Sequence, residues 1–223
     1  MRRVKFINKD KAQFANTLRK NVNDYFVNNG ISQKGNWQML LKAATMVFLY
    51  LGPFLLILLV PMPVWFIFPL SVIMGIGMAG LGMSVMHDAA HGSFSNVGWL
   101  NSFFSTSMYS IGGNSFNWKV QHNILHHTYT NIEGIDEDID PKGMLRLNAQ
   151  TPLKKVHRFQ YIYAFFLYCL MTLARTVNEF RQLNKYNKNG ITKQQGSSPG
   201  KEMFRLILSK AIYLFIILGL PLL

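Results

Sequence analysis

Five of the six histidines in this 223-residue chain fall into two short clusters. The first is His87-Asp88-Ala89-Ala90-His91 and the second is His122-Asn123-Ile124-Leu125-His126-His127. Residues four apart share a face of an α-helix, so His87 with His91, and His122 with His126, can each present two imidazoles to one side. His127 then points elsewhere and can reach a second metal or another part of the centre. Neutral imidazole ligates zinc, copper, iron or nickel. A lone histidine is more often a satisfied interfacial residue than a ligand, but five in two chelating spacings favour metal binding. A zinc protease would carry Glu inside an H-E-x-x-H helix, whereas the first cluster holds Asp-Ala-Ala. Soluble carboxylate-bridged di-iron bundles use Glu-x-x-His pairs, and the sequence has none. A histidine-dominated centre is what remains. Asp88 either orients an imidazole from behind or is a solvated residue or helix cap.

The elements that must hold these clusters are read from charge and hydropathy. The chain carries 23 basic and 10 acidic residues, a formal net charge of +13. No Asp, Glu, Lys or Arg occurs from Ala43 to His87, while Met1–Lys42 and Lys142–Lys210 hold all the basic residues but Lys119. Charge excluded from an apolar block and gathered in its flanks marks a membrane protein, and no motif supports nucleic-acid binding. Residues 43–86 have room for two spans, near 43–60 and 64–86, turning at Pro61-Met62-Pro63. The basic segment 1–42, an amphipathic stretch with Phe14, Leu18, Val22 and Tyr25 at helical spacing, lies in the cytoplasm by the positive-inside rule. Two crossings return His87 to that side. The N-terminus has no apolar run of the signal-peptide kind, and the single cysteine, Cys169, excludes an intrachain disulfide.

Ala89 to Trp118 is uncharged yet rich in Ser, Asn, Gly and aromatics, as expected of an interfacial segment roofing an apolar cavity. Tyr161–Ala174 is too short to cross and reads as an interfacial or buried helix. Gly196-Ser197-Ser198-Pro199-Gly200 reads as a flexible linker, and Leu206–Leu223 as a third span. The expectation is an all-α integral membrane protein in four parts: segment 1–42, the double span 43–86, a cytoplasmic and interfacial region 87–200 bearing both clusters, and a third span within 201–223. His157, in a basic stretch, reads as a surface residue. Glu133, Asp136, Glu137, Asp138 and Asp140 read as a solvated acidic loop by default, with tuning of the metal site or docking of a basic group as alternatives. Trp118 is either a lining residue of an acyl tunnel or an interfacial anchor.

His87-Asp88-Ala89-Ala90-His91-Gly92-Ser93 resembles the first histidine box of membrane fatty acid desaturases. Trp118-Lys119-Val120-Gln121-His122-Asn123-Ile124-Leu125-His126-His127-Thr128-Tyr129-Thr130-Asn131 resembles the second, in the form typical of front-end and related bacterial acyl desaturases. The resemblance implies a di-iron centre with His87, His91, His122, His126 and His127 as ligands and Asp88 behind them. It implies oxygen-dependent removal of two hydrogens from adjacent methylenes of an acyl chain, carried as acyl-CoA or acyl-lipid, to leave a cis double bond. It also implies a separate electron donor, a b-type cytochrome or a ferredoxin with its reductase, since the haem-binding His-Pro-Gly-Gly motif of fused family members is not in the sequence. The implied location is a bacterial inner membrane with the boxes on the cytoplasmic face. The family carries a third histidine box after a further pair of spans, and no histidine follows His157. The 223 residues are therefore expected to be inactive alone. A lipid hydroxylase of the same superfamily and a non-catalytic membrane remnant stand as alternatives.

Overall fold

The computed structural model describes residues 13–139 and 143–223. Every regular element among them is helical. α1 (Gln13–Asn28) presents Phe14, Leu18, Val22 and Tyr25 on an exposed face and buries nothing. The remainder of the 1–42 segment before Gln13 lies outside the described residues. α2 (Trp37–Leu59) starts at Asn36, whose side chain accepts from the Gln38 and Met39 amides and satisfies two donors that a helix start leaves free. After the Val60–Pro63 turn, α3 (Val64–Gly80) runs into a π-helical turn, Leu81–Met86, and then into α4 (His87–Ala90). The chain goes on through α5 (Gly98–Ser105), a 3-10 turn (Thr106–Ile111), α6 (Ser115–Trp118), a second π segment (Lys119–His126) and α7 (His127–Tyr129).

Among the described residues three helices are long and apolar enough to cross a membrane: Trp37–Leu59, the continuous Val64–Ala90 and Pro199–Leu222. The sequence placed the first two within a residue or two at their shared turn. Val64–Ala90 has 27 residues, about 40 Å at 1.5 Å per residue, against a hydrocarbon core of about 30 Å. Its last turns, which carry the first histidine box, therefore project beyond the core. α2 and α3 touch at Gly77, where an added Cβ would fall 2.4 Å from the Tyr50 amide nitrogen. Only hydrogen fits between the two backbones there. Large apolar side chains of all three helices, Phe48, Phe68 and Phe204 among them, face outward, as a lipid-facing surface requires.

The 157–200 region differs from the sequence reading in three respects. Tyr161–Ala174 is not one helix: α8 (Gln160–Cys169) breaks at Leu170, and α9 (Met171–Lys188) continues well beyond Ala174. The Gly196–Gly200 stretch is not a free linker. After α10 (Ile191–Gln194), Ser198 caps α11 (Pro199–Leu214) by accepting from the Lys201 amide, and Pro199 occupies the first turn, a start signal that composition alone disguised as a spacer. The third apolar helix thus begins at Pro199, seven residues before Leu206, and continues through a π turn (Phe215–Gly219) into α12 (Leu220–Leu222). His157 is buried, not superficial: its Nδ1 accepts from the Lys154 amide and its Nε2 lies 3.3 Å from the Gly143 carbonyl.

Candidate metal centre

Each histidine box stands on its own apolar footing. Beneath the first lie Leu81, Val85, Met86, Ala89, Phe94 and Met108, all buried. Beneath the second lie Val120, Leu125, Tyr186 and Ile191. The boxes are tied directly to each other by the Asn123 side-chain amide, which donates to the Ala90 carbonyl at 3.3 Å.

All five box histidines converge. His87 and His91 lie ring to ring at 4.6 Å, and His91 meets His127 at 4.8 Å. His122 stacks on His126 at 5.1 Å and meets His127 at 4.8 Å. Ligand atoms of His87, His91 and His122 all lie within 4.8 Å of one another, and so do those of His122, His126 and Asp138. His127 does not point elsewhere, as α-helical geometry alone suggested. In an α-helix, residues five apart lie about 140° round the axis from each other. A π segment joins residue i to i+5, which brings such residues nearly above one another. Because Lys119–His126 is π-helical, His127 turns onto the face of His122.

The acidic run after the second box folds back under it. The Asp138 carboxylate lies 2.7 Å from His122 Nδ1. Asp136 is fully buried, with both oxygens 3.0 Å from His126 Nδ1. Asp136 also accepts from the amides of Asn131, at 2.8 Å, and Asp138, at 3.1 Å. Behind this layer Gln121 donates to Asp138 at 2.6 Å, Gln182 donates to Gln121 at 2.8 Å and to Glu137 at 2.7 Å, and Glu137 accepts from Tyr186 and Lys185. Asp136, Glu137 and Asp138, which read as part of a solvated loop by default, are thus built into the centre, whereas Glu133 is exposed and Asp140 lies outside the described residues. Asp88 stands 3.4 Å from His87 Nδ1 and 3.7 Å from Lys42 Nζ, while its carbonyl accepts from the Ser93 and Phe94 amides. Trp118 lies flat on His122, ring centres 4.6 Å apart, with its edge to His87 and His91.

The electrostatics favour neutral rings at His91 and His127. Desolvation, followed by repulsion from His87, His127 and His122, lowers the His91 pKa. Desolvation, followed by repulsion from His122, His126 and His87, does the same to His127. A carboxylate is an acceptor only, so Asp138 and Asp136 hold a proton of His122 and of His126 on Nδ1, the tautomer that makes Nε2 the ligand atom. His87, with Asp88 on its Nδ1 side, directs Nε2 at His122 Nε2 across 3.1 Å. Nitrogens at that distance share either a proton, in a hydrogen bond, or a cation that both lone pairs ligate. The spacing is that of two imidazoles sharing one ion at bonds of about 2.1 Å, and carboxylates behind the rings are the usual support of such ligands. The residues present fit a metal.

A cavity of about 760 Å³ opens between α2, the Thr106–Ile111 turn and α11. Tyr50, Phe54, Tyr109, Phe116, Tyr213 and Ile216 form much of its wall, and Ser115, Lys119, Glu202 and Arg205 its polar edge. It lies under the uncharged Ala89–Trp118 stretch, as the sequence reading expected of that segment. Trp118 is not among the lining residues, although its neighbour Lys119 is.

The deeper layer of the site was not legible beforehand. Gln121 and Gln182 carry no spacing signal. Asp136, Glu137 and Asp138 had one, since half of the acidic residues fall between Glu133 and Asp140, directly after the second histidine cluster.

Comparison with known proteins agrees with this geometry. The chain is 30% identical over 227 residues to the sn-1 linoleoyl-lipid 6-desaturase of Synechocystis sp. (strain ATCC 27184 / PCC 6803 / Kazusa), covering 99% of this chain and 60% of that protein. It is 31% identical over 155 residues to the protein of the same name from Arthrospira platensis, covering 70% of this chain and 42% of the relative. It is 27% identical over 172 residues to the acyl-lipid (8-3)-desaturase of Physcomitrium patens, covering 76% and 36%. The chain spans about half the length of the curated relatives it matches. No solved structure matches. The fatty acid desaturase family model matches residues 63–223, a stretch containing both boxes, the second and third apolar helices and the folded-back acidic loop. The chain belongs to the fatty acid desaturase family.

Proposed function

We propose that the chain supplies the first two histidine boxes of a di-iron centre that introduces a cis double bond into a fatty acyl chain at the expense of molecular oxygen. His87, His91, His122, His126 and His127 are the ligands it contributes. The observation that carries the reading is the 3.1 Å approach of His87 Nε2 to His122 Nε2 with a carboxylate on the far side of each ring. When bound, the iron supplies oxygen activation and the oxidising power to remove hydrogen from unactivated methylenes. The protein residues do the positioning. Asp138 and Asp136 keep the His122 and His126 protons on Nδ1, Asn123 holds the two boxes in register, and Trp118 closes one side of the imidazole cluster.

The cavity walled by α2 and α11 suits an acyl chain, since bare methylenes offer only shape and position for recognition. Lys119 and Arg205 at its polar edge suit the anionic or polar end of the carrier, which the names of the relatives favour as a lipid. The basic flanks of the apolar helices favour boxes on the cytoplasmic face, of a bacterial inner membrane. Electrons come from a separate donor, a b-type cytochrome or a ferredoxin with its reductase. The four-part division at residues 42, 86 and 200 is part of the same proposal.

The test has two arms. Purified protein in detergent is assayed for bound iron beside His126→Ala, and lipids of a host expressing the complete coding region are analysed for new double bonds. Iron lost in the variant and a new cis double bond in the host support the reading. Unchanged iron content removes His126 from the ligand set, and a hydroxylated product in place of an alkene moves the enzyme to the hydroxylase branch.

A further inference from the structure

No Asp or Glu occurs between Asp140 and Glu179. Within that stretch Arg146, Lys154, Lys155 and Arg158 converge on a cavity of about 440 Å³ with His157 and Gln160. None of the four forms an ion pair with a carboxylate among the described residues. Two of them are occupied structurally: Arg146 donates to the Ala149 and Thr151 carbonyls, and Lys154 to Gly143. Lys155 and Arg158 are exposed, and the Arg158 guanidinium rests 4.5 Å above the Phe159 ring.

The helix that follows is apolar on nearly every side. Tyr161, Ile162, Phe165, Phe166 and Tyr168 are all exposed. α8 rests on the 3-10 turn Lys155–Phe159 that precedes it and on α9, so this surface is open. Its depth can be traced through hydrogen bonds. Tyr50 lies about nine residues from the end of α2 remote from the histidines, or about 14 Å, near the middle of a core of about 30 Å. The Tyr50 hydroxyl donates to the Ser110 carbonyl at 2.5 Å, and Lys210 donates to the Gly112 carbonyl close by. Lys210 is also paired at 2.6 Å with Glu179 of α9. Glu179 is thus linked to the level of Tyr50 in α2, and α8 joins α9 about 14 Å along the helix from it.

We propose that α8 is embedded in the leaflet nearer the histidines and that the basic cavity at its start holds the phosphate of an anionic phospholipid. Lys155 and Arg158 are the lipid-facing charges, with Arg146, Lys154 and Gln160 forming the rear wall. An apolar helix led by a cluster of cations that have no carboxylate partner among the described residues is the arrangement that an anionic leaflet recognises, the rings entering the acyl region and the cations staying at the phosphates. The inference rests on the three apolar helices and not on the iron reading, so either can fail alone.

Cys169, exposed at the end of α8 and the sole cysteine of the chain, is a native probe position. A nitroxide attached there is examined in nanodiscs of phosphatidylcholine with and without phosphatidylglycerol, by collision with oxygen, which concentrates in lipid, and with a water-soluble nickel chelate. Retained lipid is counted in parallel by native mass spectrometry. The expected result is an oxygen-accessible, nickel-protected label, more deeply buried with phosphatidylglycerol present. Lys155→Gln with Arg158→Gln should abolish the phosphatidylglycerol dependence and lower retention of that lipid about fivefold per charge removed. Both residues are exposed and outside the structural hydrogen bonds, so the variant should fold normally. A nickel-accessible label would place α8 in water, and a label reached by neither collider would mean that protein covers it; each overturns the proposal. Burial that ignores headgroup charge and the double substitution removes the phosphate site. Inorganic phosphate reproducing the shift in phosphatidylcholine discs would assign the cavity to a soluble anion instead.

Discussion

Replacing Asp136 by Asn changes one atom of a fully buried side chain and should be felt at the metal. The two Asp136 oxygens accept three protons between them: one from His126 Nδ1, which lies 3.0 Å from each, one from the Asn131 amide and one from the Asp138 amide. Asn keeps one acceptor and gains a donor. Turned one way its NH2 faces the Asn131 amide, and turned the other way it faces the Asp138 amide, so either orientation sets donor against donor. An unsatisfied buried amide costs about 1–3 kcal/mol of stability. The His126 ring also loses the negative charge that fixes its proton on Nδ1 and raises the basicity of Nε2. Loss of such a partner typically costs about 10–100-fold in metal affinity, equivalent to about 1.4–2.7 kcal/mol. The assay is titration of purified protein in detergent with Co(II), followed by its visible ligand-field absorption, with thermal unfolding measured on the same samples. A variant of lowered stability that binds Co(II) with unchanged affinity would refute the reasoning, because Asp136 would then brace the loop without acting on His126.

Three further outcomes are expected. Gln182→Leu deprives both Gln121 and Glu137 of a donor, so it should destabilise by about 1–3 kcal/mol and weaken Co(II) binding less than Asp138→Asn does, as a paired titration would show. Lys210→Met takes the nearer of two cations from the buried Glu179, leaving Arg175 at 3.8 Å, and should cost up to about 3–5 kcal/mol in unfolding free energy; adding Glu179→Gln should recover most of it, and a double variant as unstable as the single would contradict the pairing. The acidic loop should respond to pH through Asp136 and Glu137. Burial raises both pKa values, but hydrogen bonds from the Asn131 amide, His126 and the Asp138 amide hold Asp136 below its ordinary value, and those from Lys185, Gln182 and Tyr186 hold Glu137 below its own. Folded values below unfolded ones mean that the contribution is complete above about pH 4 and is lost as pH falls through the folded values. Amide hydrogen exchange at Asn131 and Asp138 should therefore stay slow from neutrality to about pH 4.5, whereas a loss beginning near pH 6 would implicate the histidines instead.

How much of this was legible in the sequence depends on whether the determinant is local. The spans were, because charge exclusion over a long block has one physical cause. The histidine boxes were, because a spacing of four projects two rings to one side whether the turn is α or nearly so. His127 was not, because its direction depends on whether the Lys119–His126 turn closes at four residues or five, and no residue in that segment announces the wider closure. With the wider turn Val120 and Leu125, five residues apart, enter one buried cluster with Tyr186 and Ile191. The acidic residues failed for a related reason. A run of Asp and Glu has one composition whether it faces water or turns back under two imidazoles, and only the pairings of Asp136 and Asp138 with the box histidines, and of Glu137 with α9, separate the two cases. The same holds for His157 in its basic stretch and for Ser198 beside its glycines, each given its role by a partner rather than by its immediate neighbours. Residues that would touch a metal could thus be named from spacing, while those that aim them are visible only once the α9 helix, which supplies Gln182, Lys185 and Tyr186, is set against the second box.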